Sequence, residues 1–374
     1  MNKIPFLRPN LVKQDTLTNY FSQIEKSRWY SNYGPLNTLF ENRVLTEYYE
    51  GNGGVMTVNN ATNGLILSIN QSKRPKGQYA LMPSFTFSAT PLAAMWCGLE
   101  PYFVDVNKDD WCMNEELVED LLKKLGDKVA VVVPYATFGT DVSVAFYKQI
   151  HESGVPVVFD AAPSFGTSGS NGTFGKNFPG LVVFSFHATK SFGIGEGGLV
   201  YSADKDLISQ IRRAGNFGFS TNRETVSQGL NSKLSEYGAA IALATLDAFP
   251  EKIQIRQQIY QWYLDEFQKN QILKKEWQLQ KTEGEIASQF MPVLCPKDQS
   301  NIDFVKLLAD NHIEARTYFS PTCHQQKFFS SFGRTLMPNT NDISGRILSL
   351  PLWEEMKKSD ITQVTQVLSK GLEP

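Results

Sequence analysis

The chain has 374 residues, of which 41% are hydrophobic and 20% charged, and its formal charge is -2. That length exceeds what one core usually supports and predicts a large domain joined to a smaller one. The near-neutral balance offers no basic surface for nucleic acid or an anionic bilayer, and no run of 18 apolar residues is present to span a membrane.

The N-terminal residues MNKIPFLRPN hold two prolines and no apolar leader. They read as an extended arm before a helix over 13–27. RWYSNYGP is a loop punctuated by Gly34 and Pro35. A helix over 37–49 follows, with Leu39, Phe40, Val44 and Leu45 on one side. A strand at 55–58 leads through NNATNG to a helix over 65–70. The backbone amides at that helix start, with the Thr62 hydroxyl, make either a phosphate site or an ordinary N-cap. Strands are expected at 79–82, 101–106, 129–133 and 155–159. Helices are expected between them at 90–97, 114–125 and 142–153. This alternation predicts a mostly parallel sheet covered on both faces. The four cysteines (Cys97, Cys112, Cys295, Cys323) have no CxxC spacing and read as reduced thiols of a cytoplasmic protein, neither zinc ligands nor disulfides.

Asp160 stands at the C-terminal end of the 155–159 strand, the end at which doubly wound sheets bind ligands. It either braces a loop there or pairs with a cationic ring nitrogen. A second apolar run, 181–186, meets Lys190 and then a turn with Gly193, Gly195, Gly197 and Gly198. A lysine in such a turn is ordinarily solvated. If buried, its pKa falls and it becomes a nucleophilic amine. A lysine amine and a carboxylate at strand ends are the two groups that pyridoxal phosphate requires of a protein. Beyond them lie a strand at 199–201, a helix at 206–214, a long loop at 215–230 and a helix at 234–249. Pro250 reads as a boundary, dividing a large domain (1–249) from a small one (250–374). The small one opens with a helix over 251–268. A strand at 290–294, a helix at 302–310, a strand and turn at 315–321 and a final helix at 360–369 complete it.

Four blocks stand out: PSFTFSAT (83–90), FDAAPSFG (159–166), SFHATKSFGIGEGG (185–198) and GLNSKLSEYGAA (229–240). On these, and over nearly its full length, the chain resembles the DegT/DnrJ/EryC1/StrS family of sugar aminotransferases. The resemblance implies an α/β aspartate-aminotransferase-like (type I PLP) fold: a large domain with a mostly parallel sheet, and a smaller α+β C-terminal domain. It implies pyridoxal 5'-phosphate bound as a Schiff base to Lys190, with a pyridoxamine form between half-reactions. Asp160 would hold the ring nitrogen and Phe87 would stack on the ring. Ala61, Thr62 and Ser185 would hold the phosphate, and Asn231 would reach the phosphate of a neighbouring subunit in a homodimer. Two departures bear on chemistry. Lys233 replaces an arginine and loses its bidentate fork. Pro163 stands where the family has histidine or glutamine near the cofactor's phenolic oxygen, and proline has no side-chain hydrogen-bonding group. That contact is either missing or supplied by a residue such as Ser164.

Ser31, Asn32, Tyr33, His187, Arg316, Tyr318 and His324 match substrate-side positions, each with a purely structural alternative, and Arg346 is of similar standing. A related dehydratase branch replaces the lysine with histidine; Lys190 is retained, which implies the aminotransferase branch. The implied reaction moves an amino group from an amino acid, glutamate by expectation, to a keto or aldehyde carbon of a nucleotide-linked sugar. Two alternatives are a free or higher-carbon keto sugar acid as acceptor, and a non-catalytic regulatory or structural member. Retention of Lys190 and Asp160 argues against the last.

Overall fold

The computed structural model describes residues 3–170 and 172–371. Seven strands form the central sheet: β1 (Gly54–Val58), β2 (Tyr79–Pro83), β3 (Glu100–Val104), β4 (Val129–Val132), β5 (Val158–Asp160), β6 (Leu181–Ser185) and β7 (Gly198–Ser202). Their order is β1-β7-β6-β5-β4-β2-β3, with single parallel bridges (Val132 to Val157, Tyr135 to Asp160) joining β4 to β5. β7 runs antiparallel to both neighbours, and the other pairings are parallel. Strands β4 to β7 are buried along their whole length, which is why they read as continuous apolar runs and not as alternating ones.

Helices α1 (Gln14–Ser27), α2 (Pro35–Tyr49), α3 (Ala61–Ser72), α4 (Ala89–Trp96), α5 (Glu115–Leu125), α6 (Val144–Glu152) and α7 (Lys205–Ala214) belong to this part of the chain. Apolar clusters on both faces of the sheet form its core. One of them contains a knot of phenylalanines in which Phe192 lies 4.7 Å from both Phe165 and Phe186 and 4.9 Å from Phe249. Helix α3 begins at Ala61, four residues before the expected start, because Asn60 caps it through Asn63 N–H.

The expected helix break at Pro250 is absent. One helix, α8 (Glu236–Lys269), runs through it for 34 residues. Pro250 is exposed, so its ring displaces no packed neighbour, and residues on both sides of it are anchored. Phe249 sits in the large core, while Ile259, Tyr263 and Phe267 sit in the small one. The small domain packs α8, α9 (Asn301–Asp310) and α11 (Lys358–Lys370) on an antiparallel sheet of β8 (Gln278–Leu279), β9 (Met291–Leu294) and β10 (Ile347–Leu350). Helix α10 (Pro338–Arg346) leads into β10. Of the strand and turn expected at 315–321, the strand is reduced to a single bridge from Arg316 to Ser349, and the chain then turns. The N-terminal arm joins the small domain at Ile4, which bridges Ile313, while Cys323, Phe329 and Met337 return to the core of the large one. No helix among the described residues is long and apolar enough to cross a membrane.

A proline inside a helix forfeits one backbone hydrogen bond, at a cost of roughly 3 kcal/mol against alanine. Proline recovers up to about 1 kcal/mol by restricting the unfolded chain. Pro250→Ala is therefore expected to stabilise the protein by about 2 kcal/mol. The measurement is the urea midpoint, which should rise at unchanged slope.

Candidate active site

The site is built on the loop between β6 and β7. Cross-loop backbone bonds close it: Phe186 N–H to Gly197 O (2.9 Å), Ala188 N–H to Gly195 O (2.8 Å) and Ile194 N–H to Phe186 O (2.9 Å). Gly195 takes a φ of +102°, and a Cβ on Gly198 would lie 2.7 Å from the Phe184 carbonyl and 3.1 Å from Ala61 N. Phe186 and Phe192 plunge into the phenylalanine knot on either side of Lys190. The lysine is thereby held at the loop's tip, with its amine facing a cavity of about 600 Å³. The side chain keeps some exposure to that cavity, yet protein surrounds the ammonium. Desolvation lowers its pKa to about 8, against a smaller opposing pull from the Asp160 charge.

Asp160 lines the same cavity from the end of β5 and is only 3% exposed. Burial raises its pKa. Thr90 Oγ1 donating to Oδ2 at 2.6 Å, Ala162 N–H donating to Oδ1 at 3.2 Å and the charge of Lys190 oppose that rise. Thr86 extends this chain of hydroxyls to Thr90 at 2.9 Å. At one end of the cavity, the start of α3 presents Ala61 and Thr62. Asn60 caps the Asn63 amide, and the Ala61 and Thr62 amides have no acceptor among the described residues. A helix N-terminus with free amides, beside the Ser185 hydroxyl, is suited to an anion. Phe87 stands at the cavity with 62% exposure.

Of the residues singled out in sequence, Ala61, Thr62, Phe87, Asp160, Ser185, His187, Lys190 and Tyr318 line this one cavity. His187 is half exposed at its rim, paired with Thr189 Oγ1 (2.8 Å) and 3.8 Å from Glu196. The others lie elsewhere. Pro163 lies against Gly139, and Ser164, the suggested substitute, is fully buried with no side-chain partner and does not reach the cavity. Arg316 lies over the Phe6 ring at 5.6 Å. His324 is held by Ser84 (2.7 Å) and Asn341 (3.1 Å). Arg346 is buried, donating to the Cys295 carbonyl at 2.7 Å and to Asp342 at 2.9 Å. Tyr33 packs its ring under Arg212 at 4.7 Å, and Asn32 and Asn231 are exposed. Ser31 lies in the same bend as Asn32.

Sequence reasoning missed Gln289, whose Oε1 accepts from Lys190 Nζ at 3.3 Å, and Tyr135, which pairs with Asp160 across the strands. It also missed Phe138, Phe290 and Phe319 on the cavity wall. The pairing of β5 beside β4 is the one signal that points to Tyr135, three residues past the end of its strand. Nothing local marks Gln289.

An enclosed amine of lowered pKa, a buried carboxylate, an anion-binding helix start and an aromatic face together suit a planar, phosphorylated, cationic heteroaromatic aldehyde. Comparison with known proteins agrees with that chemistry. A dTDP-4-amino-4,6-dideoxy-D-glucose transaminase of Escherichia coli is 28% identical over 378 residues, spanning 98% of each chain. A crystal structure from Bacillus cereus ATCC 10987, provisionally described as a PLP-dependent aminotransferase, is 48% identical. It superposes with a TM-score of 0.97 over 98% of this chain and 100% of that one. DesI, crystallised with its TDP-sugar product, is 29% identical with a TM-score of 0.89, over 100% of this chain and 93% of that one. The sequence profile of the DegT/DnrJ/EryC1/StrS aminotransferase family matches residues 12–369, and the chain belongs to that family of PLP-dependent enzymes.

Proposed function

We propose that this protein transfers an amino group from glutamate to a keto carbon of a nucleotide-linked sugar, with pyridoxal phosphate held by Lys190. The observation that carries the reading is the convergence of Lys190 and Asp160 on one cavity, with the start of α3 beside them. The similarity to the Escherichia coli transaminase and to DesI with its TDP-sugar product supports the choice of acceptor.

When bound, the cofactor supplies an electron sink for the pair released at the donor carbon. Asp160 would hold a proton on the ring nitrogen, and the bonds from Thr90 and Ala162 N–H favour its charged form against the larger pull of burial. Amides of Ala61 and Thr62, with Ser185, would hold the phosphate. Phe87 would offer the ring an aromatic surface. Lys190 Nζ would hold the cofactor at its aldehyde carbon and, freed by the donor amine, would take a proton from the donor Cα and return it as an acid. An amine with a pKa of about 8 serves both roles near neutral pH.

Ser31, Asn32, Tyr33 and Asn231 lie outside this chain's own cavity. Exposed aromatics surround them, including Trp29 (50%), Phe217 (44%) and Tyr237 (43%). In our reading a second copy covers this face, and Asn231 reaches the phosphate of its partner. As part of this reading the chain divides near residue 250, between Phe249 in one core and Ile259 in the other.

Three outcomes are expected. Lys190→Ala should abolish the visible absorbance that wild-type protein acquires with pyridoxal phosphate, and wild type should lose that absorbance on adding glutamate. A band that glutamate leaves unchanged would overturn the donor assignment. Coupling of pyridoxal phosphate to the protein needs the neutral amine. Its stopped-flow rate should rise with pH through about 8 and level off above. Asp160→Asn should still bind cofactor but slow the glutamate half-reaction at least about a hundredfold, as loss of a preorganised charge does elsewhere.

A further inference from the structure

The family places a histidine or glutamine near the cofactor's phenolic oxygen, and this chain has Pro163 there, out of the cavity. The phenolic oxygen lies on the ring carbon next to the one bearing the aldehyde that Lys190 captures. A side chain that lines the cavity beside Lys190 Nζ is therefore a candidate to reach that oxygen. Gln289 is the residue in that place, with Oε1 3.3 Å from Nζ. Because lysine donates, the carbonyl end of the amide is assigned to it. The amide nitrogen then has two N–H donors and no protein acceptor among the described residues.

Gln289 is also held as a positioning group must be. It is 8% exposed, and Arg256 from α8 donates to the Ser288 carbonyl at 2.8 Å and to the Gln289 carbonyl at 3.4 Å. Arg256 is itself fixed by Glu354 at 2.8 Å, both side chains being buried. The backbone at 288–289 is thus pinned by a side chain that does not line the cavity, while the Gln289 amide meets Lys190.

We propose that Gln289 makes the ring-oxygen contact that Pro163 cannot, donating through its amide nitrogen once the cofactor is bound. This rests on the reading of Lys190 given above. A donor at that oxygen stabilises its charged form and weakens its hold on the proton shared with the lysine-bound cofactor. The coloured linkage therefore loses its proton at lower pH than it would without the donor.

The test is a spectrophotometric pH titration of cofactor-loaded wild type, Gln289→Leu, Gln289→Glu and Tyr135→Phe, with circular dichroism confirming each fold. Removing the donor in Gln289→Leu should raise the midpoint by about one pH unit, a tenfold change in proton affinity. Gln289→Glu has nearly the same shape, so packing is kept; its carboxylate should raise the midpoint further. An unchanged midpoint in both Gln289 variants overturns the proposal, as does a rise found only in Tyr135→Phe, a hydroxyl-bearing side chain that also lines the cavity. If wild type forms no coloured linkage at all, the reading of Lys190 falls with it, and the two failures are distinct.

Discussion

A lysine that is to react must be kept from water and from a tight ion pair at the same time. The loop at 185–198 meets both demands mechanically. Cross-loop backbone bonds set its shape, and Phe186 and Phe192 bolt it into the core on either side of Lys190. With both anchors buried, the backbone that carries the lysine is held beside the cavity. Its nearest hydrogen-bond acceptor is the neutral amide of Gln289, not a carboxylate. A neutral acceptor at 3.3 Å orients the amine without holding its proton as a carboxylate would.

Asp160 faces the complementary problem. Burial favours its neutral form, but a neutral acid cannot stabilise a cationic ring. Two donors of different origin counter this: a side-chain hydroxyl from α4 and a backbone amide two residues on. Both bonds favour the charged carboxylate and offset part of what burial costs it, in a sheet whose strands β5 and β6 are buried throughout. Rigid strands place the two groups: Asp160 closes β5 and Lys190 follows the end of β6, at the strand ends where side chains can face a cavity.

What the sequence made legible follows from this arrangement. Strands buried on both faces appear as unbroken apolar runs, so β4 to β7 stood out. Glycines forced by close approach marked the Lys190 turn. Pro250 misled because the rule against proline in helices weighs a lost bond, while the apolar residues on both sides of it are each seated in a core. The aromatic and β-branched residues of 315–321 suggested a strand, but only Arg316 finds a partner there. Gln289 was invisible because its place depends on Arg256 and Lys190, 33 and 99 residues away. No periodicity or local spacing encodes a meeting of that kind. Pro163 announced that a contact had gone, and only the tertiary structure shows which side chain stands nearby.

The unbroken α8 has a consequence for how this chain can be recombined with its relatives. A junction after Phe249, where the two cores part in sequence, falls in the middle of a helix whose first half carries Ala239, Ala240 and Leu243 in one core and whose second half carries Ile259 and Tyr263 in the other. Joining the front of one relative to the back of another at that point preserves composition but leaves the relative rotation of the two apolar stripes to chance. One residue inserted or deleted there turns the second stripe by about 100°. A chimera that is to keep Lys190 and Gln289 in one cavity needs its crossovers outside Glu236–Lys269, so that this helix is inherited whole.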